Sequence, residues 1–310
     1  MNAIVTPASE GDGRTRVRLA ELVGLRARVA KAALPRLESR AMRAGRESSR
    51  LYGRGMDYAE SRVYQPGDDV RRMDWRLTAR SGRLHTKLFQ EEREGRLLVL
   101  LDMHESMRFG TRVRFKSVQA ARAAALAAWY AVRAGERVGL MAFGNDHWLV
   151  KPAGGVRGAL AVCGALADWD ALARSPRGES LSDALLRAGR LMHGANRVLL
   201  ISDGLSCDEA ARGHLLDLSG KAGVRVLVVA DALELSLPPA GRYPLEHDGE
   251  RREVVLLGER QRREFSEALG AGQSRLNATA QSLGIPHRTI DTAADPLDAV
   301  MALLAPGVRR

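Results

Sequence analysis

Residues 96–110 read RLLVLLDMHESMRFG, a near-continuous apolar run that stops at Asp102. A run without polar alternation marks a parallel strand covered on both faces. In open α/β folds the binding crevice lies outside the carboxyl ends of such strands. Asp102, His104 and Ser106 follow at steps of two, so one tight loop can turn all three side chains to one spot. Residues 198–204, VLLISDG, repeat the arrangement: an apolar strand, then Ser202 and Asp203. Asp102, Ser106, Ser202 and Asp203 offer hard oxygens of the kind that magnesium takes. The RGES stretch at 177–180 places Glu179 and Ser180 before a helical pattern, as further oxygen donors. The competing reading is that the strand-end aspartates cap helices and satisfy loop amides. His104 counts against magnesium, because an imidazole nitrogen is softer and bulkier than a hydroxyl oxygen.

Working outward, residues 1–15 are small and polar and read as a disordered tail. Leu22, Leu25, Val29 and Ala33 recur at helical spacing, and Pro35 ends that helix. Residues 41–54 form a polar, Gly-containing connector. Pro66-Gly67-Asp68-Asp69 is a turn, with Pro at the first corner and Gly free to take positive φ at the second. Residues 84–89 read as a strand. The span 16–94 is therefore an N-terminal helix and an irregular segment packing on the sheet, and 95–310 is the α/β domain. Within that domain, helices are expected at 115–134, 181–192, 208–221 and 296–304. Residues 259–283 also read as helical, with Gly270-Ala271-Gly272 as a break point. Strands are expected at 97–101, 197–202, 225–230, 253–257 and 286–290, with a hairpin of 137–143 and 147–151 around residues 144–146. Residues 233–251 read as a loop. Val118, Ala121, Ala125, Trp129 and Val132 mark one apolar side of the helix at 115–134. This alternation predicts a mostly parallel sheet with helices on both faces.

The chain has 310 residues and a net charge of +11, and residues 1–96 carry 21 basic against 13 acidic side chains. A basic surface attracts nucleic acid, anionic lipid or an acidic partner, and an Arg-rich solvated face is the plainer reading. Aromatics are 5% of the chain, so Leu, Val and Ala must fill the core. Cys163 and Cys207 stand alone without a CxxC motif, so neither a disulfide framework nor a zinc cluster finds support. No apolar run approaches the roughly 20 residues of a membrane span, and no signal peptide is visible. A cytoplasmic location is expected. There is no GxxxxGK[ST], GxGxxG or GxSxG, which removes the usual apparatus for nucleotide hydrolysis and acyl transfer.

The segment 57–83 interleaves Asp57, Glu60, Asp68, Asp69 and Asp74 with Arg62, Arg71, Arg72, Arg76, Arg80 and Arg83, and with Tyr58, Tyr64 and Trp75. Arg forks match carboxylates bidentately, so a self-satisfied ion-pair network is expected, with a docking surface as the alternative. The near balance of acid and base weakens a single-strand nucleic-acid reading.

Residues 53–92, GRGMDYAESRVYQPGDDVRRMDWRLTARSGRLHTKLFQEE, closely resemble the signature of the bacterial domain-of-unknown-function 58 family. Arg62, Tyr64, Pro66, Gly67, Asp68, Asp69, Arg71, Asp74, Trp75, Ala79 and Arg80 carry it, and Asp102, Met107, Phe109, Gly110 and Lys116 continue it. The resemblance implies a Rossmann-like von Willebrand factor A-type domain, which often bears a metal-ion-dependent adhesion site of pattern D-x-S-x-S, a Thr and an Asp on three loops. Asp102 and Ser106 match the first loop and Asp203 the third. His104 stands in place of a Ser, and the Thr position falls on Glu179 or Ser180. Magnesium is the implied cofactor, with His104 and Glu179 at the edge of its site. The implied partners are a MoxR-type AAA+ ATPase and a target protein complex. The implied role is a non-enzymatic adaptor or assembly factor. Two alternatives remain: a metal-dependent hydrolase built on Asp102, Asp203 and His104, and a basic nucleic-acid-binding protein.

Overall fold

The computed structural model describes residues 11–32, 56–91, 95–144, 148–172, 178–191, 197–247 and 250–305. The expected connector at 41–54, residues 1–10 of the expected tail, the hairpin tip at 145–147 and Arg177 lie outside them. In chain order the elements are α1 (Leu19–Lys31), β1 (Met56–Val63), α2 (Trp75–Ser81), β2 (His85–Glu91), β3 (Arg96–Asp102), α3 (Lys116–Arg133), β4 (Arg137–Phe143) and β5 (Leu149–Ala153). There follow α4 (Gly155–Asp170), α5 (Leu181–Leu191), β6 (Arg197–Ser202), α6 (Glu209–Lys221), β7 (Gly223–Ala230) and α7 (Ala232–Leu235). The last are β8 (Gly241–His247), β9 (Glu250–Leu256), α8 (Glu259–Ser282), β10 (His287–Asp291) and α9 (Pro296–Leu304). The chain divides into two compact units, Met1–Ala33 with Gly95–Arg310, and Leu34–Glu94. Helix α1 thus belongs with the α/β unit rather than with the signature segment.

The larger unit is built on a six-stranded sheet of order β10-β7-β6-β3-β4-β5. All neighbours are parallel except β5, which runs antiparallel to β4 at the edge. Numbered by appearance within the sheet, this is 3-2-1-4-5-6, the doubly wound order, and its switch point falls between β3 and β6. The central strands are apolar throughout because helices cover both faces: Leu97–Leu101 and Val198–Ile201 are all buried.

Helix α3 departs from the expected one-sided stripe. Residues 116 to 131 are buried on every side except Arg122, because α3 is enclosed by the sheet and by α1, α4 and α9. Trp129 Nε1 donates to the Leu22 carbonyl (3.0 Å), and Arg122 pairs with Glu21 (2.8 Å), fixing α1 on its outer side. On the opposite face of the sheet, Leu181, Leu185, Leu215, Leu218 and Leu276 from α5, α6 and α8 pack with Leu98, Leu100 and Phe143. Residues 11–16 are not a loose tail: Asp12 Oδ1 accepts the amides of Arg14, Thr15 and Arg16 in one turn.

Three readings are corrected. Residues 233–251 hold α7, strand β8 and the start of its antiparallel partner β9, not a loop. The stretch 155–170, for which no element was expected, is helix α4. Helix α8 runs unbroken through Gly270-Ala271-Gly272.

The smaller unit pairs β1 with β2 antiparallel. Its turn is as expected: the Asp68 amide donates to the Gln65 carbonyl (3.0 Å), and Gly67 sits at φ 107°. Asp68 also accepts from Arg62 (2.7 Å), Asp69 caps the 3-10 turn Val70–Arg72, and Asp74 caps α2 through the Leu77 amide (3.0 Å). The aspartates therefore serve turn and caps. The expected self-satisfied network is incomplete, since the side chains of Arg71, Arg76, Arg80 and Arg83 meet no carboxylate among the described residues.

Candidate functional site

Parallel pairing of Leu101 with Ile201 sets Asp102 level with Ser202 at the carboxyl edge of the two central strands. Ser202 Oγ donates to Asp102 Oδ2 (2.6 Å). The other carboxylate oxygen accepts the His104 amide (2.9 Å) and bonds His104 Nδ1 (2.8 Å). The imidazole stands edge-on to Phe143, with ring centroids 5.8 Å apart. Burial draws the His104 pKa down, but the Asp102 bond and the charges of Asp102, Asp203 and Glu179 outweigh it and hold the pKa above the usual value.

Glycine lets the loops meet this closely. A Cβ on Gly144, at φ 85°, would lie 2.4 Å from His104 Nδ1, and one on Gly178 would lie 2.0 Å from the Gly144 carbonyl oxygen. The loops after β3 and β4 and the loop before α5 are thus in backbone contact at one point. Glu179 is brought here, where it forms a bidentate pair with Arg187, whose guanidinium also donates to the Ala142 carbonyl (2.8 Å). Ser180 turns away: its hydroxyl accepts the Asp183 amide (3.1 Å) and donates to the Asp183 carboxylate (2.8 Å), a cap on α5.

Asp203, one residue past β6, accepts the Leu205 amide (2.9 Å) and the Lys116 ammonium (2.9 Å). The same ammonium donates to Glu234 (2.6 Å), and the lysine is 2% exposed. Glu234 completes a capping box with Asp231 on α7. Burial is the largest influence on Lys116 and opposes its charge, yet the two carboxylates prevail and hold its pKa above the ordinary value. Two carboxylates share one ammonium, and burial keeps Glu234 above the usual carboxyl range. A cavity of about 230 Å³ opens beside this triad, lined by Ser106, Phe109, Lys116, Asp203 and Glu234 among others. Ser106 Oγ is buried at that wall with no hydrogen-bond partner among the described residues.

The residues present do not fit the expected magnesium ion. Both oxygens of Asp102 and both of Asp203 already accept protein donors. An ammonium sits between Asp203 and Glu234, and an imidazole of raised pKa lies against Asp102. Ser180 is spent on its helix. Among the described residues no group of three or more His, Cys, Asp or Glu side chains converges in a metal-holding arrangement. A divalent cation would have to displace positive charge already supplied by the chain.

Of the expected site, the structure brings together Asp102, His104, Ser202, Asp203, Ser106 and Glu179, and leaves out Ser180. Glu234 and Asp231 were missed. Their signal was present in residues 225–231, RVLVVAD, a third apolar strand ending at an aspartate.

Sheet order, antiparallel edge strand and switch-point carboxylates define a doubly wound, Rossmann-like α/β protein. The profile described as "Protein of unknown function DUF58" matches residues 60–275, and the chain belongs to that family. Uncharacterized proteins of Mycobacterium tuberculosis and Mycobacterium bovis are 30% identical over 277 residues, covering 82% of this chain and 80% of theirs. Among solved structures, the conserved hypothetical protein BatB of Bacteroides thetaiotaomicron aligns at 17% identity and TM-score 0.43, over 68% of this chain and 97% of its own. A von Willebrand factor type A protein from Catenulispora acidiphila aligns at 14% identity and TM-score 0.36, over 71% of this chain and 43% of its own. Manganese-loaded TRAP protein of Plasmodium vivax aligns at 14% and 0.38, over 68% and 72%.

Proposed function

We propose that the protein is a non-enzymatic adaptor or assembly factor that binds proteins at the switch-point rim, in the cytoplasm, with a MoxR-type AAA+ ATPase as its partner. One observation carries the reading. At the rim Asp102 is held by His104 and Ser202, Asp203 by Lys116 and Glu179 by Arg187, while the buried Ser106 hydroxyl beside the cavity has no partner among the described residues. Binding pockets are usually apolar walls with a few placed polar groups, and Phe109, Leu205 and Leu269 beside Lys116, Asp203 and Ser106 give this cavity that form. Family membership supports the ATPase as partner. No helix among the described residues is long and apolar enough to cross a membrane.

The test is co-elution of the full chain with the MoxR-type ATPase of the same genome, with and without ATP and magnesium. The expected result is a complex that Ser106→Trp, which fills the cavity, weakens at least tenfold without lowering the melting temperature. Separate elution under both conditions overturns the ATPase partnership. Phosphatase or peptidase activity abolished by Asp102→Ala overturns the non-enzymatic reading.

A further inference from the structure

Within the smaller unit, α2 exposes an unusual face. Trp75 and Ala79, and Arg76 and Arg80, stand one helical turn apart, and all four are exposed, Trp75 at 64%. The preceding 3-10 turn adds exposed Val70 and Arg71. Large exposed indoles are uncommon on a solvated helix. The nearby aspartates are engaged elsewhere: Asp68 by Arg62 and the Gln65 amide, Asp69 by the Arg71 amide, Asp74 by Ser61 and the Leu77 amide. Among the described residues, the guanidiniums of Arg71, Arg76 and Arg80 have no hydrogen-bond, ionic or ring partner.

We infer that this face of α2 docks an acidic segment of a partner protein, an apolar side chain lying on Trp75 and carboxylates engaging Arg76, Arg80 and Arg71. Charge complementarity defines the occupant. Unpaired arginine forks match carboxylates bidentately, and Trp and Arg are among the residues most enriched at interface hot spots. Single-stranded nucleic acid would call for a groove with several stacking rings, whereas this is one ring on a convex helix. The inference stands apart from the switch-point reading, since it uses none of the same residues.

The experiment uses the full chain and a fluorescein-labelled peptide of glutamates around a central leucine, read by anisotropy, with an oligodeoxythymidine of equal charge as the second probe. Arg76→Glu with Arg80→Glu is expected to weaken the peptide at least about tenfold, and Trp75→Ala severalfold. A charge-matched control, Arg260→Glu with Arg263→Glu on α8, is expected to retain wild-type affinity. If the double variant melts early, Arg76→Gln with Arg80→Gln decides in its place. Equal losses in the patch and control variants, no peptide binding by the wild type, no effect of Trp75→Ala, or tighter binding of the oligonucleotide through the same residues would each overturn the proposal.

Discussion

Lys116 is the residue on which the site turns. It is the first residue of α3, where the helix dipole is positive and a lysine is ordinarily unfavourable. Two buried carboxylates offset that cost. Removing one partner of a buried ion pair leaves uncompensated charge, so Lys116→Met is expected to cost about 3–5 kcal/mol in urea unfolding, and adding Glu234→Gln to recover part of it. His104 carries a pH dependence of definite sign. Its folded pKa is raised, so its stabilisation is complete below the unfolded value of about 6.5 and fades as pH rises through the folded value. The penalty of His104→Gln should therefore be larger at about pH 5.5 than at about pH 9, measured by denaturant midpoints. For the metal, calorimetry with millimolar magnesium or manganese is expected to show no saturable heat. Saturable binding lost in Asp102→Asn would reverse that conclusion. The aspartates, His104 and Ser106 were legible because each lies within four residues of an apolar strand end. The ion triad was not, because Lys116 lies 87 residues from Asp203 and 118 from Glu234, and spacing along a chain is silent about such encounters.

At the scale of elements, pattern revealed the central strands and missed what tertiary packing decides. The strands at 97–101 and 197–202 were legible because burial on both faces removes polar residues altogether. Helix α3 looked one-sided because six of its thirteen remaining positions are alanines, which carry little amphipathic signal. Pro244 and Gly241 disguised the β8–β9 hairpin as a loop. Gly270 and Gly272 imitated a break in α8, but their role is close approach. A Cβ at 272 would lie 2.7 Å from the Leu205 amide and 2.9 Å from the Asp203 carbonyl oxygen, and one at 270 would lie 2.6 Å from the Glu234 carbonyl oxygen. The glycines admit α8 to the loops that carry the ion triad. Replacing a helical Gly by Ala usually stabilises by about 1 kcal/mol. Gly272→Ala is expected to reverse that sign and destabilise by about 1–3 kcal/mol, because backbone rather than a flexible side chain is in the way. Thermal denaturation measures it. A rise in melting temperature would show that the approach is looser than the geometry requires.

For the larger unit as a whole, the six-stranded sheet supports two helical layers, and each layer holds one cysteine. Cys163 lies on α4 in the layer with α1 and α3, and Cys207 lies in the core cluster with α5, α6 and α8. Both are fully buried free thiols. Burial pushes the Cys163 thiol up to about 12, and burial likewise raises Cys207. The thiolate is the reactive species, so neither should react with a disulfide reagent in the native protein near pH 8. Because β3, β4 and β7 contribute side chains to both layers, neither layer can lose its packing without exposing the other's floor. The α/β unit should then unfold as one cooperative body, and both thiols should become reactive at the same urea midpoint. Labelling of Cys163→Ser and Cys207→Ser variants separates the two signals. Coincident midpoints are expected; earlier labelling of Cys163 would mean that the layer with α1 opens by itself, and that the hold of Trp129 and Arg122 on that helix is weaker than their geometry implies.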